Sequence, residues 1–173
     1  MSAIDAMPQT KNFLSPLNFT FVLKRSPNLN FFVQRVNIPR IRLDYLSVPS
    51  PLLQIPQPNG RTEFDDLSLT FKVDEDLQNY MEIYNWITDI GSTVDQSGYA
   101  KLRNNTQGGG ENATSDISLI VSDGLKNPNY EVIYVNAFPI DLGDLVFETS
   151  DTDINYVSAS VTFKYTYYTI NKV

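Results

Sequence analysis

The sequence contains neither cysteine nor histidine. Without cysteine there is no disulfide framework, no thiolate nucleophile and no thiolate-held metal, a composition that suits a reducing compartment. Without histidine the usual general base at neutral pH and the commonest metal ligand are gone, which excludes most hydrolase triads and nearly all zinc sites. No apolar run approaches the roughly 18 residues of a membrane-spanning helix. The N-terminal MSAIDAMPQTKNFLSP lacks the basic start and apolar stretch of a Sec-type leader, so a soluble, unexported chain is expected. Basic charge is also short: the net charge is −7, against the basic surface by which proteins grip phosphates.

That shortage is uneven. Residues 1–61 carry seven Lys/Arg and two acids, a net of +5, whereas residues 62–173 carry six and eighteen, a net of −12. Such asymmetry suits a molecule whose basic part meets the acidic part of a neighbour, so self-assembly is a candidate property. A chain of 173 residues that is 42% hydrophobic can bury one core and is too short for two ordinary domains.

What is present is mostly strand. Leu17–Leu23 and Leu29–Val36, separated by the turn-like KRSPN, predict a hairpin. From Ile38 to Gly60 five prolines interrupt a run of apolar residues, which predicts a stiff extended arm without ladders. Leu67, Leu69, Phe71 and Val73 then alternate with Ser68, Thr70 and Lys72, the period of a strand with one buried face. The period switches to helical over 75–90, where Leu77, Tyr80, Met81, Tyr84, Ile87 and Ile90 form a stripe. Asp74 is the expected N-cap, and Gly91 the stop.

Residues 91–115 are polar and aperiodic, predicting a flexible loop. Its Gly108–Gly110 run lacks the Lys-Ser/Thr and following helix of a phosphate loop. Asp116–Ser122 and Tyr130–Phe138 predict a second hairpin closed off by Pro139. Finally Asn155–Ile170 predicts a single long strand of roughly 45–50 Å, with Val157, Ala159, Val161, Phe163, Tyr165 and Tyr167 on one face. Ser158, Ser160, Thr162, Lys164 and Thr166 take the other. Unpaired edges of that length invite association unless an assembly completes them.

Carboxylate clusters offer little chemistry. Asp65 and Asp66 lie at a strand start, Asp74, Glu75 and Asp76 belong to the helix start, and Asp151 and Asp153 sit in a polar turn. None has the spacing of a calcium loop. No catalytic, cofactor or metal site is expected, and no enzyme.

The order of these pieces is more informative than any one of them. A strand pair, a proline-rich arm, EFDDLSLTFKVDED running into LQNYMEIYNWITDIG, a hairpin ending YEVIYVNAFPIDLGDL and a terminal NYVSASVTFKY strand together resemble the tail-tube protein family of contractile-tailed, T-even-like bacteriophages. The resemblance covers residues 16–170; its most telling parts are Phe64-Asp65-Asp66-Leu67, Val135-Asn136-Ala137-Phe138-Pro139 and the alternating last strand. It implies one tail-tube-like domain over 16–173 after an N-terminal extension, 1–15, with the arm at 38–61, the helix at 75–90 and the flexible loop at 91–115. The implied fold is mainly β, a β-sandwich or barrel with one flanking α-helix, shared with type VI secretion tube proteins. Six copies would close into rings with a continuous inner β-barrel.

The implied function is structural: the inner tail tube, a conduit for double-stranded DNA ejection, in the virion and, during assembly, in the host cytoplasm. Its partners would be itself, the tail sheath, the tube initiator and terminator, and DNA passing non-specifically. Ser68, Thr70, Ser158, Ser160 and Thr162 are the candidate lumen face, although Lys72 and Lys164 share it. Arg40, Arg42, Asp44, Tyr45, Leu52, Leu53 and Ile55 are the candidate ring-stacking or subunit interface, and Glu82 and Trp86 the candidate outer face of the helix. A terminator or baseplate initiator ring shares the fold and is the alternative. A rival of another class is a carbohydrate-binding sandwich, suggested by Tyr165, Tyr167 and Tyr168.

Overall fold

The structure, a computed structural model, describes residues 12–91, 113–148 and 156–173. Most of the expected loop 91–115, with its glycine run, lies outside these residues, as do Asp151, Asp153 and residues 1–11. In chain order the described elements are β1 (Phe19–Leu23), α1 (Pro27–Phe32), β2 (Val33–Val36), β3 (Ile41–Pro49), β4 (Gln54–Phe64), β5 (Leu67–Lys72), α2 (Gln78–Gly91), β6 (Ser115–Ser122), β7 (Pro128–Leu142), β8 (Ser158–Lys164) and β9 (Tyr167–Lys172). The fold is mainly β, as expected, and α2 flanks the sheets.

One seven-stranded antiparallel sheet runs β1-β6-β7-β8-β5-β2, with β9 also paired to β7. It bends sharply because its longest strand changes partners partway along. Residues 130–135 of β7 pair with β9, and 138–142 pair with β8. Between them Asn136 takes a positive φ of 55°, a conformation asparagine tolerates better than most residues, and its N–H is held by the Asp116 carboxylate at 3.0 Å. The two halves of the bent sheet enclose the core. Phe21, Leu119, Val132 and Tyr134 come from one half, and Leu69, Phe71, Val161 and Phe163 from the other. Buried side chains of this size each contribute about 1.5–3 kcal/mol.

The bend also corrects three sequence expectations. Asn155–Ile170 is not one long strand: it breaks at Tyr165–Thr166, opposite the corner in β7, where Thr166 N donates to Val135 O at 3.0 Å. The break shifts the alternation, so Tyr168 turns inward while Tyr167 is exposed. Pro139 does not end its strand either. The ladder continues to Leu142 across a register shift between Pro139 and Asp141; such irregularities accommodate the missing donor. Third, the first two strands do not form a hairpin. β1 pairs with β6, β2 with β5, and Pro27–Phe32 is a short helix with Pro27 at its start, where the absent N–H costs nothing.

The proline-rich arm makes a ladder after all. β3 and β4 pair from Ile41↔Phe64 to Pro49↔Gln54 as a separate two-stranded ribbon. Both strands of a ribbon are edges, so Pro56 and Pro58, two residues apart on one strand, lose only donors on one side. Gly60, at φ 74°, lies where the register shifts between Leu43 and Tyr45, a position that glycine fills without steric cost.

The helix begins later than the pattern predicts, and with another face inward. Leu77, at φ 58°, donates its N–H to Asp74 O at 2.9 Å in a turn that precedes α2. Asn79 is buried and ties this start to β5, donating to Lys72 O at 2.8 Å and accepting from Asp74 N at 3.2 Å. That contact rotates the helix. Asn79, Ile83 and Trp86 are buried, whereas Leu77, Met81 and Tyr84 from the expected stripe are exposed.

Candidate functional site

Leucine and phenylalanine on one parity of β5, and alanine, valine and phenylalanine on one parity of β8, send the intervening side chains to the opposite face. Register then matches them. Ser68 lies opposite Thr162, Thr70 opposite Ser160 and Lys72 opposite Ser158. All five candidate lumen residues therefore share one polar face of two paired strands. Arg35 joins it from β2, opposite Thr70.

The two lysines on this face are engaged. Lys164 is ion-paired with Asp66. Lys72 donates to Tyr156 O and to Ser158 Oγ, both at 2.9 Å. Their charge is thus accompanied by local acceptors, a carboxylate in one case.

The same strands end in open edges. β8 and β9, consecutive in the chain, lie on one side of β7, and β6 lies on the other, ending where Ser115 meets Ala137. Beyond that point Phe138–Leu142 has no second ladder partner among the described residues. At the far side β2 is equally open. The four-strand stretch β7-β8-β5-β2 thus presents one buried face, one polar face and two unpaired edges. Gly143 closes against β8 where this stretch ends: its N–H donates to Ser160 O at 2.7 Å, and a Cβ there would meet Ser160 Oγ at 2.5 Å.

The second feature is the ribbon. β3 and β4 pair only with each other, and β4 alone reaches roughly 36 Å. Tyr45, Leu52, Leu53 and Ile55, all predicted contact residues, are exposed on it, Leu52 at 95%. Ile41, Leu43 and Leu46 add to this surface. These apolar groups are thus exposed together on a ribbon that pairs with no other strand among the described residues. Asp44 accepts from Asn59 Nδ2 at 3.0 Å across the ribbon.

Arg40 and Arg42 are directed to their own chain, where both bond the Asp65 carboxylate, at 3.3 and 2.5 Å. The Arg42 hydrogen bond holds the Asp65 carboxyl below the usual carboxylate range and raises Arg42 in turn. From the sequence, Asp65 and Asp66 are adjacent acids at a strand entry, with no partner legible for either. Their separate tasks, one holding the ribbon's arginines and the other holding Lys164, are created by strands distant in the chain.

The helix prediction needs correction at Trp86. It is 1% exposed, its indole donates to Ala113 O at 2.9 Å, and the Arg25 guanidinium lies 4.7 Å over the ring. It faces the core because Asn79 sets the helix rotation. Glu82 is half-buried against α1 and accepts from Asn28 at 2.6 Å. The aromatic trio also fails to form a platform: Tyr165 and Tyr168 pack edge to face against each other and around buried Tyr134. Among the described residues no cluster of acidic side chains could hold a metal ion, and no helix is long and apolar enough to cross a membrane.

Comparison with known proteins gives this architecture its relatives. The chain is 28% identical over 176 residues to the tail tube terminator protein of Enterobacteria phage T4, covering 97% of this chain and 94% of that one. Its fold matches the tube-terminating cap of the anti-feeding prophage with a TM-score of 0.64, at 12% identity and full coverage of both chains. It also matches a chain of the sheath–tube complex of an extracellular contractile injection system (PVC), with a TM-score of 0.59, 13% identity, and coverage of 100% and 99%. The profile of the family described as phage tail tube protein matches residues 4–171. With a match over nearly its whole length, the chain belongs to the phage tail tube protein family.

Proposed function

We propose that this chain is the ring-forming structural protein that terminates the inner tube of a contractile phage tail. The observation that carries the reading is the four-strand stretch with a polar face and two open edges. Six copies, each laying β2 beside the Phe138–Leu142 edge of the next, pair both open edges of this stretch by closing one barrel. The polar face carrying Ser68, Thr70, Ser158, Ser160 and Thr162 then lines the bore. With Lys164 ion-paired to Asp66 and Lys72 bonded to neighbouring neutral oxygens, Arg35 is the main cation left to meet phosphate, too little to hold passing duplex DNA.

The ribbon supplies contact between subunits or stacked rings through Tyr45, Leu52, Leu53 and Ile55, with Arg40 and Arg42 at its base. Partners are copies of itself, the tube, the sheath and, in passing, genomic DNA. The task is mechanical and not enzymatic, carried out in the virion after assembly in the host cytoplasm. The terminator position is favoured over the repeating tube by the near full-length alignment with the T4 terminator; membership of the tube family keeps the repeating tube as the second reading.

Electron microscopy of the purified protein tests both readings. Single rings that cap tubes of the cognate tube protein and halt their growth support a terminator. Long tubes of this protein alone support the main tube. A monomer at all concentrations, with no effect on tube length, overturns both.

A further inference from the structure

The ribbon joins the rest of the chain at one root, and both of its ends are held there by the segment where β8 bends into β9. Tyr165 Oη donates to Asp65 O, just beyond β4, at 2.7 Å. Tyr168 Oη donates to Pro39 O, just before β3, at 3.3 Å. Asp65 N donates to Arg40 O at 3.0 Å, tying the two ends to each other, while the Asp65 carboxylate takes both Arg40 and Arg42. Phe64, the last residue of β4, packs edge to face on Tyr168 with ring centroids 5.3 Å apart. Beneath them Tyr134 is fully buried and contacts both tyrosines.

A two-stranded ribbon is marginally stable on its own, and one tethered by flexible ends would sweep a wide arc. Here two hydroxyls grip main-chain carbonyls on either side of the root, and the Asp65 carboxylate, taking Arg40 and Arg42, fixes the start of β3. We propose that Tyr165, Tyr168 and Asp65 form a root clamp that fixes the ribbon's direction before assembly, making them positioning residues for whatever surface the ribbon meets. The proposal rests on reading the ribbon as a contact element. An arm already aimed loses less freedom on docking, which leaves more of the contact energy as affinity.

The absence of cysteine makes the test clean. Spin labels at Ser50→Cys on the ribbon tip and Lys24→Cys on the body report the tip-to-body distance in the full chain. A single narrow distribution is expected in the parent. In Tyr165→Phe/Tyr168→Phe, which removes two oxygens and keeps both rings, it should broaden about twofold, at a melting temperature that still indicates a folded core. Asp65→Ala should broaden it likewise and Asp65→Asn less. If Asp65→Ala does not fold, the phenylalanine pair carries the test. An unchanged width in the folded variants overturns the clamp. A broadened ribbon that still caps tubes at the parental rate overturns the claim that aiming serves assembly. Failure of the contact reading shows separately: Leu52→Asp/Leu53→Asp would cap tubes normally, whatever the distance distributions show.

Discussion

The Lys164 ammonium is paired with the Asp66 carboxylate, so a cation on the polar face of β8 brings its own counter-charge from the start of β5. Both groups are substantially exposed, and such a pair adds little to stability. Its consequence is electrostatic. In Asp66→Asn the ammonium becomes available to phosphate, and binding of duplex DNA to assembled rings should rise. The log–log salt slope should steepen by about 0.9 for each phosphate engaged. Filter binding at two salt concentrations measures this. No change in either affinity or slope would count against this face lining the bore.

Trp86 and Tyr84 sit two positions apart on α2 and should behave differently. Trp86→Ala removes a ring packed on Phe163 at 6.0 Å between centroids, together with its hydrogen bond to Ala113, and should cost about 3–5 kcal/mol in urea unfolding. Tyr84→Ala, at a position 48% exposed, should stay within about 1 kcal/mol. Equal costs would mean the helix is rotated from the orientation described.

Gly143 faces β8 at close range. A methyl there meets a movable hydroxyl at 2.5 Å, but also the Ser160 backbone at 3.2 and 3.3 Å, so the neighbouring strand has to give. Gly143→Ala should destabilise by about 1–3 kcal/mol. The companion Gly143→Ala/Ser160→Ala should recover part of that loss, because only the hydroxyl clash is relieved. Full recovery would mean that the backbone approach does not matter.

Acid should act on the loops before the core. The Arg42 hydrogen bond lowers Asp65, and N–H groups of Asn127 and Leu125 lower Asp123 in the β6–β7 turn. A carboxyl more acidic when folded than unfolded stabilises above its unfolded pKa, about 3.9, and that contribution is lost as pH falls through the lower folded value. Glu82 is shifted the other way: burial raises it, and the Asn28 hydrogen bond only partly compensates. Its ionised form therefore opposes folding, a penalty absent below its unfolded pKa and fully present once pH exceeds the folded one. Urea midpoints should be flat between about pH 6 and 8, where only histidine ordinarily titrates, and should fall in the acid range. Asp65→Asn should reduce that fall, and Glu82→Gln should match or exceed the parent at neutral pH. A Glu82→Gln protein that is weaker at pH 7 but equal at pH 4 would reverse the assigned sign.

Alternation alone was enough to read the two faces of β5 and β8, though not where β8 ends, because a strand with one buried face repeats every two residues wherever it sits in the chain. It placed Leu69, Val161 and Phe163 inside and Ser68, Thr70, Ser158, Ser160 and Thr162 outside, and the lack of cysteine and histidine confined the chemistry to a narrow range. It did not show that the two polar rows face each other in register, since strand pairing joins residues about ninety positions apart. Nor did it show which helix stripe is buried: apolar residues occupied more than one stripe of α2, and the decision fell to Asn79, a polar residue whose partners are main-chain atoms of β5 and the turn after it. The prolines of the arm spoke against a ladder only on the assumption of a central strand, and a two-stranded ribbon has none. The root of the ribbon, the corner at Asn136 and the pairing of Asp65 and Asp66 with separate cations depend on where a bent sheet brings distant backbone together. Local sequence sets which face of a strand is apolar; contacts across the bend decide what each face meets.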